Sequence, residues 1–107
     1  EALAARRRIL VNGFAAIVLL VDELGDLAGD PEIIAHGIPA LETGGDAEEA
    51  LLTEIERGVR RMPASERAHD ADLAEQLRIL SRRFLRRHSD KNPVVDVRVI
   101  RLEDVPA

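Results

Sequence analysis

The sequence predicts an α/β fold of the α+β kind: a small three-stranded sheet with two long helices on one face, in the order (α)ββααβ. Three observations carry that expectation. "FAAIVLLVD", Phe14 to Asp22, is a short apolar run between Gly13 and the turn-like "DELGD". Two later segments repeat apolar residues at helical spacing. The chain then closes on "PVVDVRVIRLE", Pro93 to Glu103, in which apolar and polar residues alternate.

Taken in order, Ala2 to Val11 reads as a short helix capped near Asn12-Gly13. The first strand follows. Phe14, Ala16, Val18 and Leu20 alternate with Ala15, Ile17, Leu19 and Val21, so both of its faces are apolar, a pattern that asks for burial on both sides. "LAGDPEIIAHG" reads as a second strand, broken at Gly29 and Asp30-Pro31, because proline lacks a backbone donor. A hairpin between the two strands is the simplest topology.

Asp46 stands three residues before Glu49, an Asp version of the capping box ahead of "AEEALLTEIERGVRRM". Leu51, Leu52, Ile55, Val59 and Met62 repeat at helical spacing, and Pro63 ends the segment. Gly58 weakens this helix by roughly 1 kcal/mol against Ala. A second long helix covers about Asp70 to His88, with Leu73, Leu77, Leu80 and Phe84 on one stripe. Arg82, Arg83, Arg86, Arg87 and His88 crowd its last turns, where positive charge suits the helix dipole. Ile79 lies off the stripe. In the final strand Val95, Val97 and Val99 form one face, and Val94, Asp96, Arg98, Ile100 and Leu102 a mixed one.

Two helices paired on one sheet face leave the other face to be covered by something else. Another protein surface is the expected cover, either a second copy or the remainder of a longer protein. Phe14, Ala16, Val18, Leu20, Ile79, Asp96, Arg98 and Ile100 are the interface candidates. Burying about 400 Å² of apolar area per partner is worth roughly 10 kcal/mol before association entropy is deducted.

The 107 residues suffice for one core and one domain, 1–107, without a disulfide or structural metal. The chain has no cysteine, which removes thiolate metal sites and any Cys nucleophile and fits a reducing compartment. It begins without Met, inside a helical pattern, and reads as a domain excised from a longer protein. No apolar run is long enough to span a bilayer and no secretory signal is evident, so no membrane partner and a cytoplasmic location are expected.

Net charge is −5, which argues against domain-wide attraction to nucleic acid. The charge is uneven: Asp22 to Glu56 holds eleven acids and no base, whereas Arg57 to Lys91 holds ten bases and five acids. Arg82, Arg83, Arg86, Arg87 and Lys91 are therefore candidates for auxiliary RNA contact, although no aromatic residues interleave for base stacking. Solvated arginines with interface ion pairs are the plainer reading.

Other chemistry is weakly represented. His36, His69 and His88 fall in separate elements without metal-motif spacing. "ETGGD", Glu42 to Asp46, lacks the Lys-Ser/Thr ending of a phosphate loop. Asp30, Glu32 and His36 are the residues an independent catalytic role would use. A surface partner for His36 and a soluble acidic turn are the plainer readings. No catalytic residue, metal ligand or cofactor is assigned to this chain.

Three stretches carry a family resemblance: "RRRILVNGFAAIVLLVD" from Arg6, "GDLAGDPEIIAHGIP" from Gly25 and "LRRHSDKNPVVDVRVIRLE" from Leu85. Together they resemble the C-terminal domain of ribonuclease J, the metallo-β-lactamase/β-CASP ribonuclease, in its proteobacterial form. The stretch from Thr43 to Asp70 resembles it least, and His36-Gly37 stands where members carry Arg-Gly or Thr-Gly. The resemblance implies a longer protein that processes and degrades RNA, with 5′-to-3′ exonuclease and in many members endonuclease activity. It also implies two divalent metal ions, usually zinc, held by a catalytic domain outside this chain. For the domain itself it implies support of dimers or tetramers, with partners in further copies or in the catalytic domains of the same protein. Two alternatives stand beside it: a free-standing α/β adaptor or ligand-binding domain, and a scaffold domain of a longer protein whose metal site has decayed.

Overall fold

The computed structural model describes residues 12–42, 45–89 and 92–102. The N-terminal helix expected over Ala2 to Val11, the Arg6 to Arg8 run and Lys91 lie outside the described residues.

Gly13 leads into strand β1, Phe14–Val21, in a backbone conformation with φ of +87° that favours glycine. A Cβ there would stand 2.7 Å from both Gly37 O and Ile38 Cγ1, so the strand entry packs closely on the segment after the second strand. At the far end Asp22 Oδ1 accepts hydrogen bonds from Leu24 N at 2.9 Å and Asp26 N at 3.0 Å. That local turn reverses the chain. Leu27 makes a single bridge to Val21, and Gly29-Asp30-Pro31 then interrupts the pairing before strand β2, Glu32–His36. β1 and β2 are antiparallel, with Ile17 opposite Ile33 and Ala16 opposite Ile34, so the expected hairpin and its break are both present.

A single helical turn, α1 (Pro39–Glu42), precedes the first long helix, α2 (Asp46–Arg61). The expected Asp46 cap is corrected. Asp46 is the first helical residue, Gly45 occupies the cap position in extended backbone, and no side chain caps the helix. Gly45 O instead accepts from Glu49 N at 3.1 Å. Pro63 ends α2 and starts a one-turn helix, α3 (Ala64–Arg67), before the second long helix, α4 (Asp70–His88). Both short helices went unforeseen because one turn has no periodicity to read.

Strand β3, Val94–Arg101, lies parallel to β1 on the side away from β2, giving the order β2-β1-β3. A parallel return needs a long crossover, and the helical segment supplies it. α2 and α4 pack on one face of the sheet. Ala15, Ile17, Leu19 and Val21 of β1, each with no exposed surface, meet Val95 and Val97 of β3. Leu51, Ile55 and Val59 of α2, with Leu73, Leu77, Phe84 and Leu85 of α4, complete that core. Gly58 brings the two helices close: a Cβ there would lie 2.6 Å from Leu80 Cδ1.

Candidate interaction surface

Alternation along three strands assembles the other face of the sheet. Residues directly opposite in a ladder share a face, so the registers define rows across it. His36, Phe14 and Val94 make one row; Ile34, Ala16 and Asp96 the next. Glu32, Val18 and Arg98 form a third, and Leu20 and Ile100 close the array. Seven of the eight expected interface residues are thereby brought onto one surface. Ile79 is not among them. It lies on the helical layer, in a depression shared with Arg78, Arg82, Arg83 and Arg86.

No described helix covers this face. Phe14, Ala16, Val18 and Leu20 remain half-buried while their neighbours in sequence are sealed, and Ile34 and Ile100 are 45% and 52% exposed. Among the described residues, the apolar character of both faces of β1 is fully satisfied only on the helical side. Polar groups are confined to the margins. Arg98 Nε donates to Asp96 Oδ2 at 3.0 Å within β3, while Glu32 and His36 project from β2. Ile34 and Val94 were missed as members; the alternation of "EIIAH" and the register opposite Ala16 and Phe14 identify them.

The arginines of α4 form a second surface. Arg83, Arg86 and Arg87 line one shallow depression and pair with no carboxylate among the described residues. The Arg87 guanidinium carbon sits 6.0 Å from the Phe84 ring centroid, and His88 stacks on the same ring at 4.0 Å. His88 Nδ1 donates to Phe84 O at 2.9 Å. Arg82 is already engaged, donating to Asn92 Oδ1 at 3.3 Å. On the exposed flank of α4 the Arg78 guanidinium makes a two-pronged contact with Glu75, through Nε to Oε1 at 2.9 Å and Nη2 to Oε2 at 2.7 Å. Those hydrogen bonds hold the Glu75 carboxyl below its ordinary range and raise Arg78.

Arg101 is the functional-looking arginine that sequence reasoning passed over, and its role is architectural. Its guanidinium, 17% exposed, donates to Asp70 Oδ1 and to the backbone oxygens of Asp22, Glu23 and Arg67. Arg67 also pairs with Asp26. The end of β3 thus ties the turn after β1 to the junction of α3 and α4. Gly25, with φ of +86°, lies directly against the Arg67 backbone.

Asp30, Glu32 and His36 do not converge on a pocket. Among the described residues no group of three or more His, Asp or Glu side chains is placed to hold a metal ion. No helix among the described residues is long and apolar enough to cross a membrane.

The family model of the ribonuclease J C-terminal domain matches residues 1–102. This chain belongs to that family. This ribonuclease J C-terminal domain is similar to Ribonuclease J of Sinorhizobium meliloti, with 29% identity over 93 residues. The match covers 86% of this chain but 16% of that relative. The ribonuclease J C-terminal domain therefore corresponds to a small part of its relative's length.

Proposed function

We propose that this chain is the assembly domain of a longer ribonuclease J-like protein and performs no chemistry alone. The outer face of the sheet, which no described helix covers, carries the reading. Phe14, Val18, Leu20, Ile34, Val94 and Ile100 form an apolar field bordered by charges, a composition that marks a contact surface more than a solvated one. Its partners are a second copy of the chain or the catalytic domains of the same protein. In the longer protein, 5′-to-3′ exonuclease and endonuclease cleavage in RNA processing and decay would be carried out by a separate two-zinc domain in the cytoplasm. Metal-activated water is the chemistry such a centre supplies when loaded. This domain's contribution is to hold the catalytic units together. Val18→Asp on the outer face tests it: loss of self-association, or of oligomeric state in the longer protein, supports the reading. Assembly that survives both Val18→Asp and Asp96→Arg, which lies at the edge of the same face, overturns it.

A second reading rests on Arg83, Arg86 and Arg87, whose guanidinium groups gather without acidic partners among the described residues. They supply an auxiliary grip on RNA phosphates to a domain whose net charge is otherwise negative.

A further inference from the structure

β3 is the terminal strand of the sheet and its outer edge runs for eight residues. The opposite margin is blunted, since β2 has five residues and starts directly after Pro31. Val94 N donates to Gly13 O at 3.1 Å and Leu102 N to Val21 O at 2.7 Å, toward the β1 side. Alternate residues of a strand turn their backbone groups to the same neighbour. Val95, Val97, Val99 and Arg101 accordingly turn theirs away from β1, to an edge that carries no further strand among the described residues. Such a row of amides and carbonyls is a template for another strand.

The chemistry of β3 is self-complementary about Val97: Val94, Val95 and Asp96 precede it, and Arg98, Val99 and Ile100 follow. We propose that two copies of this chain join by antiparallel pairing of β3 with the β3 of the partner subunit, centred on Val97. The two Val97 residues then exchange backbone hydrogen bonds, and Val95 faces Val99 of the partner subunit. Asp96 faces Arg98 of the partner subunit, and Val94 faces Ile100 of the partner subunit. Asp96 and Arg98 fall at the non-hydrogen-bonded positions, where opposed side chains approach most closely. Within one chain these two already contact each other at 3.0 Å with side chains 45% and 76% exposed, so the dyad gathers an alternating quartet of two acids and two arginines.

Charge selects this register. The outward direction of the odd-numbered backbone groups allows only pairings of odd with odd residues. Slipping the partner strand by two residues sets Asp96 against Asp96 of the partner subunit, or Arg98 against Arg98 of the partner subunit. Like charges in direct opposition are destabilising. Slipping by four sets Asp96 against an apolar residue, Val94 or Leu102 of the partner subunit. The charges that guard an exposed edge against indiscriminate pairing here admit one alignment. The inference rests on the assembly reading and specifies its homo-oligomeric contact; the outer faces of both copies stay free and continuous across the joined sheet.

The chain has no cysteine, which makes the alignment directly testable. Full chains carrying Asp96→Cys are mixed with chains carrying Arg98→Cys under mild oxidation. A disulfide-linked pair from the mixture, well above the yield of either variant alone, supports the register. In sedimentation equilibrium, Asp96→Arg weakens association at least tenfold, and adding Arg98→Asp to it restores association; far-ultraviolet circular dichroism confirms that each variant is folded. Association that survives Asp96→Arg but disappears with Val18→Asp overturns edge pairing and leaves the assembly reading standing. A chain that stays monomeric at a few hundred micromolar also overturns edge pairing, with docking onto the rest of the longer protein then the form of assembly.

Discussion

Arg101 Nε donates to Asp70 Oδ1 at 2.8 Å, so the last residue of β3 is tied to the first residue of α4. The same guanidinium reaches three backbone oxygens, on Asp22, Glu23 and Arg67. Two loops that share no regular pairing are thus held by one planar fork. The hub lies at the end of the sheet where β3 finishes beside Val21.

Removing that fork takes the guanidinium donor from the partly buried Arg67 carbonyl and the ion pair from Asp70, while Asp22 O keeps its bond from Gly25 N. Arg101→Ala is expected to destabilise the fold by about 2 to 3 kcal/mol, in line with charged hydrogen bonds. Arg101→Lys recovers less than half of this, since an ammonium cannot span the same acceptors. Urea denaturation of both variants is the measurement.

Adjacent residues of β1 should respond differently to truncation. Ile17 is sealed in the core, and Ile17→Ala is expected to cost about 2 to 4 kcal/mol. Val18 faces the open side, and Val18→Ala is expected to change the stability of the monomer by less than about 1 kcal/mol. Denaturation at a concentration low enough to suppress association checks the pair.

Two glycines offer a similar contrast. Gly13→Ala places a side chain at positive φ and against the Gly37 backbone, so a loss above about 1 kcal/mol is expected. Gly58→Ala presses only on Leu80 Cδ1, the end of a flexible side chain beside an open groove. There the helix-propensity gain of about 1 kcal/mol offsets the displacement, and the melting temperature should move little.

The arginine surface predicts a salt effect. In the longer protein, Arg83→Glu with Arg86→Glu should weaken RNA binding and flatten its salt dependence, by about one unit of slope for each phosphate no longer gripped. Identical slopes for the variant and the natural sequence would remove the RNA reading.

Glu75 provides a local pH signature. Its hydrogen bonds from Arg78 lower its pKa, so the contribution of the pair is present above the unfolded carboxyl range and is lost as pH falls through the folded value. An NMR titration should place the Glu75 midpoint below the ordinary glutamate range, and Arg78→Ala should return it there. The Glu75 side chain is exposed, so global stability changes little.

What the sequence determined alone is local and periodic. The doubly apolar "FAAIVLLV" had to be a strand, the stripe of Leu73, Leu77 and Phe84 had to be a helix, and Asp30-Pro31 had to break the pairing. These follow because a strand repeats every two residues, a helix every 3.6, and proline has no amide to donate. From the same periodicity came the grouping of Phe14, Ala16, Val18 and Leu20. Tertiary structure decided where those faces point. Only the parallel return of β3 beside β1 sets Asp96 and Arg98 next to Ala16 and Val18, and places Val97 on the edge of the described sheet. Only the packing of α4 moves Ile79 to the helical side, and only the meeting of three chain segments makes Arg101 a hub. Periodicity specifies which residues share a face of one element. Which elements become neighbours depends on long-range burial, and no short stretch of sequence encodes that.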